Sequence, residues 1–382
     1  MRLGVDASNI REGGGVTHLV CILAAADPPA HGITSVTVWT STKTAAQLPR
    51  RDWLRVATPK ALDGALPRRI AWQRFALGKA ARDACDLLWV PGGNAIGGFR
   101  PFVAMSRNML PFEPAERRRY GFSAMGLRID LLTRSQSKTF RSADGLIFLT
   151  DYARREVTAR VGGIPGLVAT IPHGVDERFR LAPRPQRPIG ACTTDDPFRV
   201  VAISIVDVYK HPWVIAEAVV RLREKGLPVR LDLVGPAYGP ALTRLRETLA
   251  RVDPEGRAVR YTGKVPFTSL PSAYHASEVF VFASSCENMP NILLEAMSAG
   301  LPIACSDRGP MPEILGDAGC YFDPESVDAA AAAIERLVES PELRARCAEA
   351  AFGRASAYSW KRCADETMRF LASFPIASRR AS

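Results

Sequence analysis

The sequence has few of the features that mark a metal centre, a disulfide framework or a membrane span. Its eight cysteines are scattered, without a C-x-x-C pair or the spacing of metal ligands, which predicts buried, reduced thiols in a cytosolic protein. No apolar run reaches the roughly 20 residues that a membrane-spanning helix needs. Helix-turn-helix, zinc-finger and RNA-binding signatures are also missing, which argues against a nucleic-acid partner.

The first six residues, Met1 to Asp6, have the pattern of a β-strand rather than that of a signal peptide. Together with the reduced cysteines, this pattern predicts a cytoplasmic protein. The chain has 382 residues, 47% of them apolar, which is enough for two packed cores. Two domains are therefore expected.

The net charge of +11 lies entirely in the first half of the chain. Residues 1–180 contain 26 Lys and Arg against 15 Asp and Glu, whereas residues 181–382 contain 24 of each kind. An arginine-rich composition would explain an excess in both halves, not in one. A basic first half points to an anionic partner, either a membrane surface or a phosphorylated acceptor.

Strand and helix patterns alternate in two blocks. Strand patterns of the first block lie at 2–7, 34–40, 86–90, 101–105, 144–149 and 168–172, and its helical patterns at 16–26, 68–84, 114–142 and 151–160. Strand patterns of the second block lie at 199–205, 229–234, 259–262, 279–283, 302–305 and 320–322. This alternation predicts an α/β fold of parallel sheets with helices on both faces. The proline-rich stretch 181–198 between the blocks predicts a linker.

Two glutamates separated by seven residues, Glu287 and Glu295, are the most informative pair in the chain. Glu287 follows the buried-strand pattern at 279–283, and Glu295 falls inside the next helical pattern. Pro290 suits the first position of that helix and Asn288 is its expected N-cap. Ligands bind at the carboxyl edge of open α/β sheets, and free N–H groups at a helix start attract anions. Two carboxylates beside such a helix start predict a ligand with both hydroxyl and phosphate groups.

A series of short motifs surrounds this pair. They are Y-T-G-K-V at 261–265, L-P-S-A-Y at 270–274, L-L-E-A-M-S-A-G-L-P at 293–302, P-E-I at 312–314 and G-C-Y-F-D-P at 319–324. In this order and spacing they resemble the donor-binding half of family-4 retaining glycosyltransferases, of the type that builds bacterial cell-surface glycans. The resemblance extends more weakly over nearly the whole chain.

The resemblance implies the GT-B fold, an α/β architecture of two Rossmann-like domains with a cleft between them. Residues 1–180 would form the acceptor-side domain, 181–198 the linker, and 199–358 the nucleotide-sugar domain. The last segment, 359–382, would contain a helix at 359–372 that crosses back to the first domain, followed by a tail.

The implied activity is transfer of a sugar, with retention, from a nucleotide-diphosphate donor to a cell-surface glycan or a polyprenyl-linked acceptor. No metal cofactor is expected, and the protein could lie at the inner face of the cytoplasmic membrane, on an anionic surface. Two alternatives remain open, a nucleotide-sugar epimerase of the same fold and a non-catalytic nucleotide-sugar binding protein.

Site residues carried over from the resemblance fall into three groups. Glu287 and Lys210 would be catalytic. The donor-binding residues would be Gly14, Gly15, Lys210, Gly235, Lys264, Glu287, Asn288, Met289, Pro290, Asn291 and Glu295, with Glu287 on the sugar hydroxyls, Glu295 on the ribose and Lys210 on the phosphates. The acceptor side would contain His18, Arg107, Asn108 and His173.

Two positions depart from the family pattern. Ile205 stands where an arginine usually contacts the donor phosphates, and Arg107 stands where a histidine usually lies near the reacting sugar. Simpler interpretations also stand beside the functional ones. His18 could be a core or capping histidine, His173 a structural part of the cleft wall, and Lys210 an exposed loop lysine.

The arginine run at 117–119, next to Tyr120 and Phe122, allows two interpretations. Basic residues among aromatic and aliphatic ones suit a membrane interface. The same pattern fits an amphipathic helix packed on its own sheet.

Overall fold

The structure, a computed structural model, describes residues 1–95 and 97–375. Its strands are β1 (Arg2–Asp6), β2 (Ser35–Trp39), β3 (Leu54–Ala57), β4 (Leu87–Val90), β5 (Phe102–Met105), β6 (Gly145–Phe148), β7 (Leu167–Thr170), β8 (Phe198–Ile203), β9 (Val229–Val234), β10 (Val259–Gly263), β11 (Val279–Phe282), β12 (Ile303–Ser306) and β13 (Cys320–Phe322). Its helices are α1 (Gly14–Ala25), α2 (Thr42–Ala45), α3 (Leu66–Phe75), α4 (Leu77–Ala84), α5 (Pro114–Arg118), α6 (Ala124–Ser142), α7 (Asp151–Val161), α8 (Pro212–Glu224), α9 (Gly239–Val252), α10 (Leu270–His275), α11 (Asn291–Ser298), α12 (Met311–Leu315), α13 (Val327–Glu339), α14 (Pro341–Ala355) and α15 (Trp360–Ala372).

The chain divides into two compact units. The first contains Met1–Glu113, Phe122–Gly174 and the described residues from Ser359 onward, and the second contains Pro114–Gly121 and Val175–Tyr358. Compared with the sequence-based boundaries, the second unit starts before the expected linker and takes in one short segment of the expected first domain.

Each unit is built on one parallel sheet. The first has the strand order β3-β2-β1-β4-β5-β6-β7, and the second has the order β10-β9-β8-β11-β12-β13. In both sheets the chain first runs toward one edge and then continues from the middle toward the other. The predicted α/β class of two Rossmann-like parallel-sheet domains is confirmed, because every strand pair in both sheets is parallel.

The buried strands are the ones that the sequence predicted best. β4, β5, β6, β11 and β12 are buried at every position, which makes them short continuous apolar runs. The sequence missed β3, an edge strand whose residues are half-buried or exposed, so that no apolar run marks it.

Two predicted helices are wrong in extent. The pattern at 68–84 is two helices, α3 and α4, which meet at Ala76. The break allows Leu77 to be buried while Phe75 stays exposed. The pattern at 114–142 is also two helices, because Gly121 adopts a left-handed φ of 52° and Ser123 then caps α6 through the Gly126 N–H.

The last helix, α15, packs against α1 of the first unit. Its Asp365 lies 3.0 Å from the ring of His31, just beyond α1. The tail expected after this helix falls largely outside the described residues, at 376–382. Among the residues that are described, no helix is both long and apolar enough to cross a bilayer.

Candidate functional site

The best-defined site lies at the carboxyl edge of the second sheet. The strand order reverses between β8 and β11, and open α/β sheets bind ligands outside the strand ends at such a point. The loop after β8 contains Lys210, and the loop after β11 contains Glu287. Fold topology therefore places both predicted catalytic residues at the position where a ligand is expected.

The loop after β8 is held in an unusual backbone conformation. Asp207 caps a short turn by accepting a hydrogen bond from the Val208 N–H at 2.7 Å. His211 has a left-handed φ of 45°, which is uncommon for a residue other than glycine and is further disfavoured before Pro212. Such strain persists only where the surroundings hold it in place, and it concentrates at functional sites.

Hydrogen bonds through one serine hold the loops together. The Ser285 N–H donates to the Tyr209 carbonyl at 2.8 Å, and the Ser285 hydroxyl lies 2.9 Å from Nε2 of His211. Burial, assisted by the nearby Arg119 charge, lowers the pKa of His211 to about 4. His211 is therefore neutral at physiological pH and serves as a fixed hydrogen-bonding group between the two loops.

Lys210 and Glu287 form an ion pair across these loops. Their side chains are 6% and 15% exposed, so each compensates the charge of the other in a nearly dry setting. The Lys210 ammonium also lies 5.0 Å from the ring centroid of Phe282 and 5.1 Å from that of Tyr209. The interpretation of Lys210 as an exposed loop lysine is therefore wrong.

Helix α11 follows this loop, and its N-cap residue provides no side-chain cap. The predicted cap is wrong, because the helix begins at Asn291 and its N-cap is Pro290, two residues beyond Asn288. Asn288 and Met289 are instead buried within the loop. The uncapped start directs backbone N–H groups toward the carboxyl edge of β11, as an anion site requires.

Glu295 lies inside α11 and is buried against α10. The Tyr274 hydroxyl donates to its Oε2 at 3.0 Å, and Tyr274 is itself fully buried. Burial raises the pKa of Glu295 to about 7, although the Tyr274 hydrogen bond opposes the shift. Near neutral pH this carboxyl is thus divided between its protonated and charged forms.

We expect Glu295→Gln to make the protein more stable at high pH than wild type. Because the folded-state pKa is raised from 4.5 to about 7, folding is favoured while Glu295 is protonated, and this stability is lost as pH rises from about 4.5 to about 7. The variant should match wild type below pH ~4.5 and exceed it by about 3 kcal/mol above pH ~7. Urea denaturation at several pH values measures the difference. A gap that does not grow with pH would contradict the assignment.

The other two predicted donor residues of this unit directly follow β9 and β10. Gly235 follows β9 with a φ of 143°, and a Cβ there would come within 1.9 Å of the Ser204 carbonyl oxygen. Its glycine identity is thus explained by close approach to the backbone after β8. Lys264 is exposed after β10, at the sheet edge two strands away from β8.

Tyr120 belongs to this site although the sequence gave no sign of it. Its hydroxyl donates to Asp207 Oδ1 at 3.0 Å, on the turn that leads to Lys210. Burial raises the pKa of both Tyr120 and Asp207. Tyr120 lies 87 residues before Asp207, so no local spacing could reveal the pair.

The neighbouring Arg119 corrects an expectation about the arginine run. It donates to Glu116 at 2.8 Å and to Glu325 at 2.6 Å, and these hydrogen bonds raise its pKa, with the Glu325 bond first in importance. Both partners belong to the second unit, as Arg119 does. Arg119 therefore fits neither of the two interpretations of the arginine run. Its charge is paired within the second unit, where it has a structural role.

In the first unit, the predicted residues gather around the start of α1. Arg107, after β5, donates to the Gly14 carbonyl at 2.7 Å and lies 3.5 Å from that of Gly15. Burial lowers the pKa of Arg107 to about 10, so the guanidinium remains charged at neutral pH. Arg107 therefore fixes the glycine-rich turn with a permanent positive charge.

His18 and His173 pack together beneath that turn. Their ring centroids are 4.6 Å apart, and the Trp360 ring centroid lies within 6 Å of each of them. Burial and the Arg107 charge lower the pKa of both histidines, so neither is a cation at neutral pH. The structure favours the interpretation of His18 as a core histidine, because its side chain is fully buried.

Asn108, the remaining predicted acceptor-side residue, has a local structural role. Its Oδ1 accepts a hydrogen bond from the Leu110 N–H at 3.1 Å and so closes the turn after β5. Among the described residues of both units, no group of three or more His, Cys, Asp or Glu side chains is arranged to bind a metal ion.

Comparison with known proteins finds the clearest sequence similarity in the second half of the chain. Residues 193–354 match the family model described as glycosyl transferases group 1. O-antigen chain mannosyltransferase B of Escherichia coli is 37% identical over 110 residues, which are 29% of each chain. D-inositol 3-phosphate glycosyltransferase of Corynebacterium urealyticum is 28% identical over 249 residues, 61% of this chain and 58% of the relative. The chain thus spans less than two thirds of these curated relatives.

Solved structures of similar architecture cover almost the entire chain. HepE of Anabaena, in complex with UDP and glucose, has a TM-score of 0.72 at 20% identity and covers 98% of this chain and 100% of its own. Sucrose-phosphate synthase of Thermosynechococcus elongatus has a TM-score of 0.71 at 18% identity, with 97% and 98% covered. The chain therefore has the GT-B fold, and its second half is similar to glycosyl transferases group 1.

Proposed function

We propose that this protein is a retaining glycosyltransferase that moves a hexose from a nucleotide-diphosphate donor to a cell-surface glycan or a lipid-linked acceptor. The observation that carries the proposal is the buried Lys210–Glu287 pair at the strand-order reversal of the second sheet. It lies within the residues that match the family model and beside an uncapped helix start. These are the groups that a sugar diphosphate needs.

Each member of the pair has a distinct task. Lys210, a compact cation, would contact the diphosphate oxygens and stabilise the negative charge that grows on them as the sugar departs. Glu287 would accept hydrogen bonds from sugar hydroxyls and would keep Lys210 in place through the ion pair. The backbone N–H groups at the start of α11 would add further stabilisation of the anion.

This arrangement does not require a carboxylate nucleophile. Retaining hydrolases hold two carboxyl groups about 5 Å apart on the two sides of the scissile bond. A nucleoside diphosphate is a good leaving group, so stabilisation of its charge can replace acid catalysis on this side of the reaction. The retaining stereochemistry rests on the resemblance to family-4 enzymes and is part of the proposal, as is independence from metal ions.

The nucleoside end of the donor would lie near Glu295. A charged carboxylate accepts hydrogen bonds from the ribose hydroxyls, whereas a protonated one accepts fewer. Gly235 and Lys264 would border the donor on the β9 and β10 side.

The acceptor would be bound by the first unit. Arg107 keeps a positive charge beside the Gly14–Gly15 turn, which suits a phosphorylated or lipid-diphosphate acceptor. The similarity to an O-antigen chain mannosyltransferase supports a growing cell-surface glycan as the product. Sugar transfer to such an acceptor would require the protein to act at the cytoplasmic face of the membrane.

Nucleotide binding and sugar transfer test the proposal in sequence. Thermal shift with UDP, GDP, ADP and dTDP should select one base, since a ligand at about 100 times its dissociation constant stabilises a protein by about 2.7 kcal/mol. The chosen sugar donor is then supplied with and without lipid-linked and soluble glycan acceptors. NMR of the product should show the donor's anomeric configuration.

Other results would replace the proposal. Conversion of the donor without any acceptor would identify an epimerase. Nucleotide-sugar binding without turnover under any acceptor would identify a binding protein, consistent with Ile205 and Arg107 at two positions of the family pattern. An inverted product would overturn the retaining assignment, and absence of nucleotide binding would overturn the whole proposal.

A further inference from the structure

Helix α6 of the first unit exposes an apolar and basic face. Leu127 and Leu131 are 61% and 55% exposed, one helical turn apart, and Phe122 just before the helix is fully exposed. Arg128 and Arg134 are exposed on the same face, since helical neighbours recur every three to four residues. Large exposed apolar side chains grouped in this way are rare on a surface that meets only water.

Helix α3 has the same character. Leu66 and Ile70 are exposed one turn apart on one side of it, whereas Phe75, which is 82% exposed, lies on the opposite side. Arg74 is exposed one turn after Ile70 on the same side. This side of α3 is therefore open to solvent within the described part of the chain.

The two helices lie on the same side of the first sheet. α3 connects β3 to β4 and α6 connects β5 to β6, and both connections run in the same direction across the parallel sheet. Right-handed crossovers then put both helices on one face. A groove of about 590 Å³ confirms that they are neighbours, because Arg74 of α3 and Ser135 and Lys138 of α6 all line it.

We propose that this surface, the α3–α6 face, docks on an anionic phospholipid membrane. It is defined by Leu66, Ile70, Phe122, Leu127 and Leu131 with the basic residues between them. The apolar side chains would enter the interfacial region of the bilayer, and the cations would meet lipid phosphates, with Arg74 and Lys138 placing one phosphate in the groove.

Charge complementarity selects this occupant over a soluble protein. The whole net charge of +11 belongs to residues 1–180, while Arg119 is already paired with glutamates of the second unit. In the groove, Arg100 is paired with Asp144 at 2.6 Å, while Arg74 and Lys138 are exposed cations of the lining. That the docked protein receives a lipid-linked acceptor from the membrane rests on the proposed function. Membrane binding itself does not.

Vesicle flotation of the full-length protein tests the inference. Wild type should float with phosphatidylcholine vesicles that contain phosphatidylglycerol and should not float with phosphatidylcholine alone. Arg128→Gln with Lys138→Gln should weaken partition about 25-fold, from about fivefold for each basic residue at an anionic surface. Leu127→Ser with Leu131→Ser should weaken it by about tenfold, because their apolar area no longer enters the bilayer.

Matched controls come from the opposite face of the first sheet and from its other edge. Arg51→Gln with Lys361→Gln removes the same charge beside α1, whose connection from β1 to β2 runs the other way across the sheet, and Leu167→Ser removes an exposed leucine from the edge strand β7. Both should float like wild type. Circular dichroism melts identify any variant that fails to fold.

Three outcomes would overturn the inference. They are absence of flotation at low salt, equal losses in the control and test charge variants, and retention of binding when both leucines are replaced. Equal charge losses would mean attraction by overall charge alone. Nucleotide binding, measured separately on the same variants, distinguishes failure of this surface from failure of the proposed activity.

Discussion

Lys210→Ala is expected to lower the turnover of the sugar donor by roughly 10²- to 10³-fold, the usual effect of removing one group that stabilises transition-state charge. It should also weaken binding of the nucleoside diphosphate, while binding of the free nucleoside should change little. The reason is that, in the proposed site, Lys210 would contact the phosphates and neither the base nor the ribose. Steady-state kinetics and calorimetry with nucleoside and nucleoside diphosphate measure both effects.

The ion pair with Glu287 complicates this variant. Removal of one member of a buried pair leaves an uncompensated charge and costs about 3–5 kcal/mol. The double variant Lys210→Met with Glu287→Gln retains the shape without the charges, so it should fold and still lose turnover. Lys225→Ala, which removes an exposed lysine paired with Glu335 just after α8 and outside the proposed site, is the matched control. Equal losses for nucleoside and nucleoside diphosphate in Lys210→Ala would refute a phosphate role.

Gly235→Ala should destabilise the second unit by about 4 kcal/mol or more, among the largest effects of a single substitution. The new Cβ would lie 1.9 Å from the Ser204 carbonyl oxygen, and the φ of 143° is strained for alanine. The obstacle is backbone, which cannot move without displacing β8 from β9. Urea denaturation followed by far-ultraviolet circular dichroism measures the loss.

Gly239→Ala is the control for that effect. Gly239 begins α9, only four residues later, and a Cβ there would meet no atom within 4 Å. We expect it to be neutral or slightly stabilising, since alanine favours a helix over glycine. If the two substitutions had equal effects, or if Gly235→Ala abolished nucleotide binding without any loss of stability, close packing would not be the reason for glycine at 235.

Much of the fold could be predicted from local patterns. Strands such as β11 are short apolar runs because both faces of a parallel sheet are covered, and β3 was missed because an edge strand need not be apolar. The ends of the helices were predicted less accurately than the strands. The break at Gly121 depends on a left-handed φ, which a glycine permits but does not require.

In the site, too, features that depend on neighbouring residues were predicted and those that depend on distant residues were not. Residues near one another in sequence, such as Glu287 and the start of α11, could be assigned to a strand end and a helix start before their positions were known. The cap was placed two residues too early because Asn288 is a residue type that favours N-caps, whereas the helix begins only after Pro290, which provides no side-chain cap. Tyr120 escaped because its partner Asp207 is remote in sequence.

The sequence alone determined the class of fold, the strand ends that carry Lys210 and Glu287, and the chemistry these side chains can perform, because such properties depend on residue type and spacing. Only the tertiary structure decided how those side chains are used. It paired Lys210 with Glu287, buried Glu295 enough to raise its pKa to about 7, and removed Arg119 from the basic surface. Charge pairing and desolvation depend on which distant segments meet, and one chain's local pattern does not encode that.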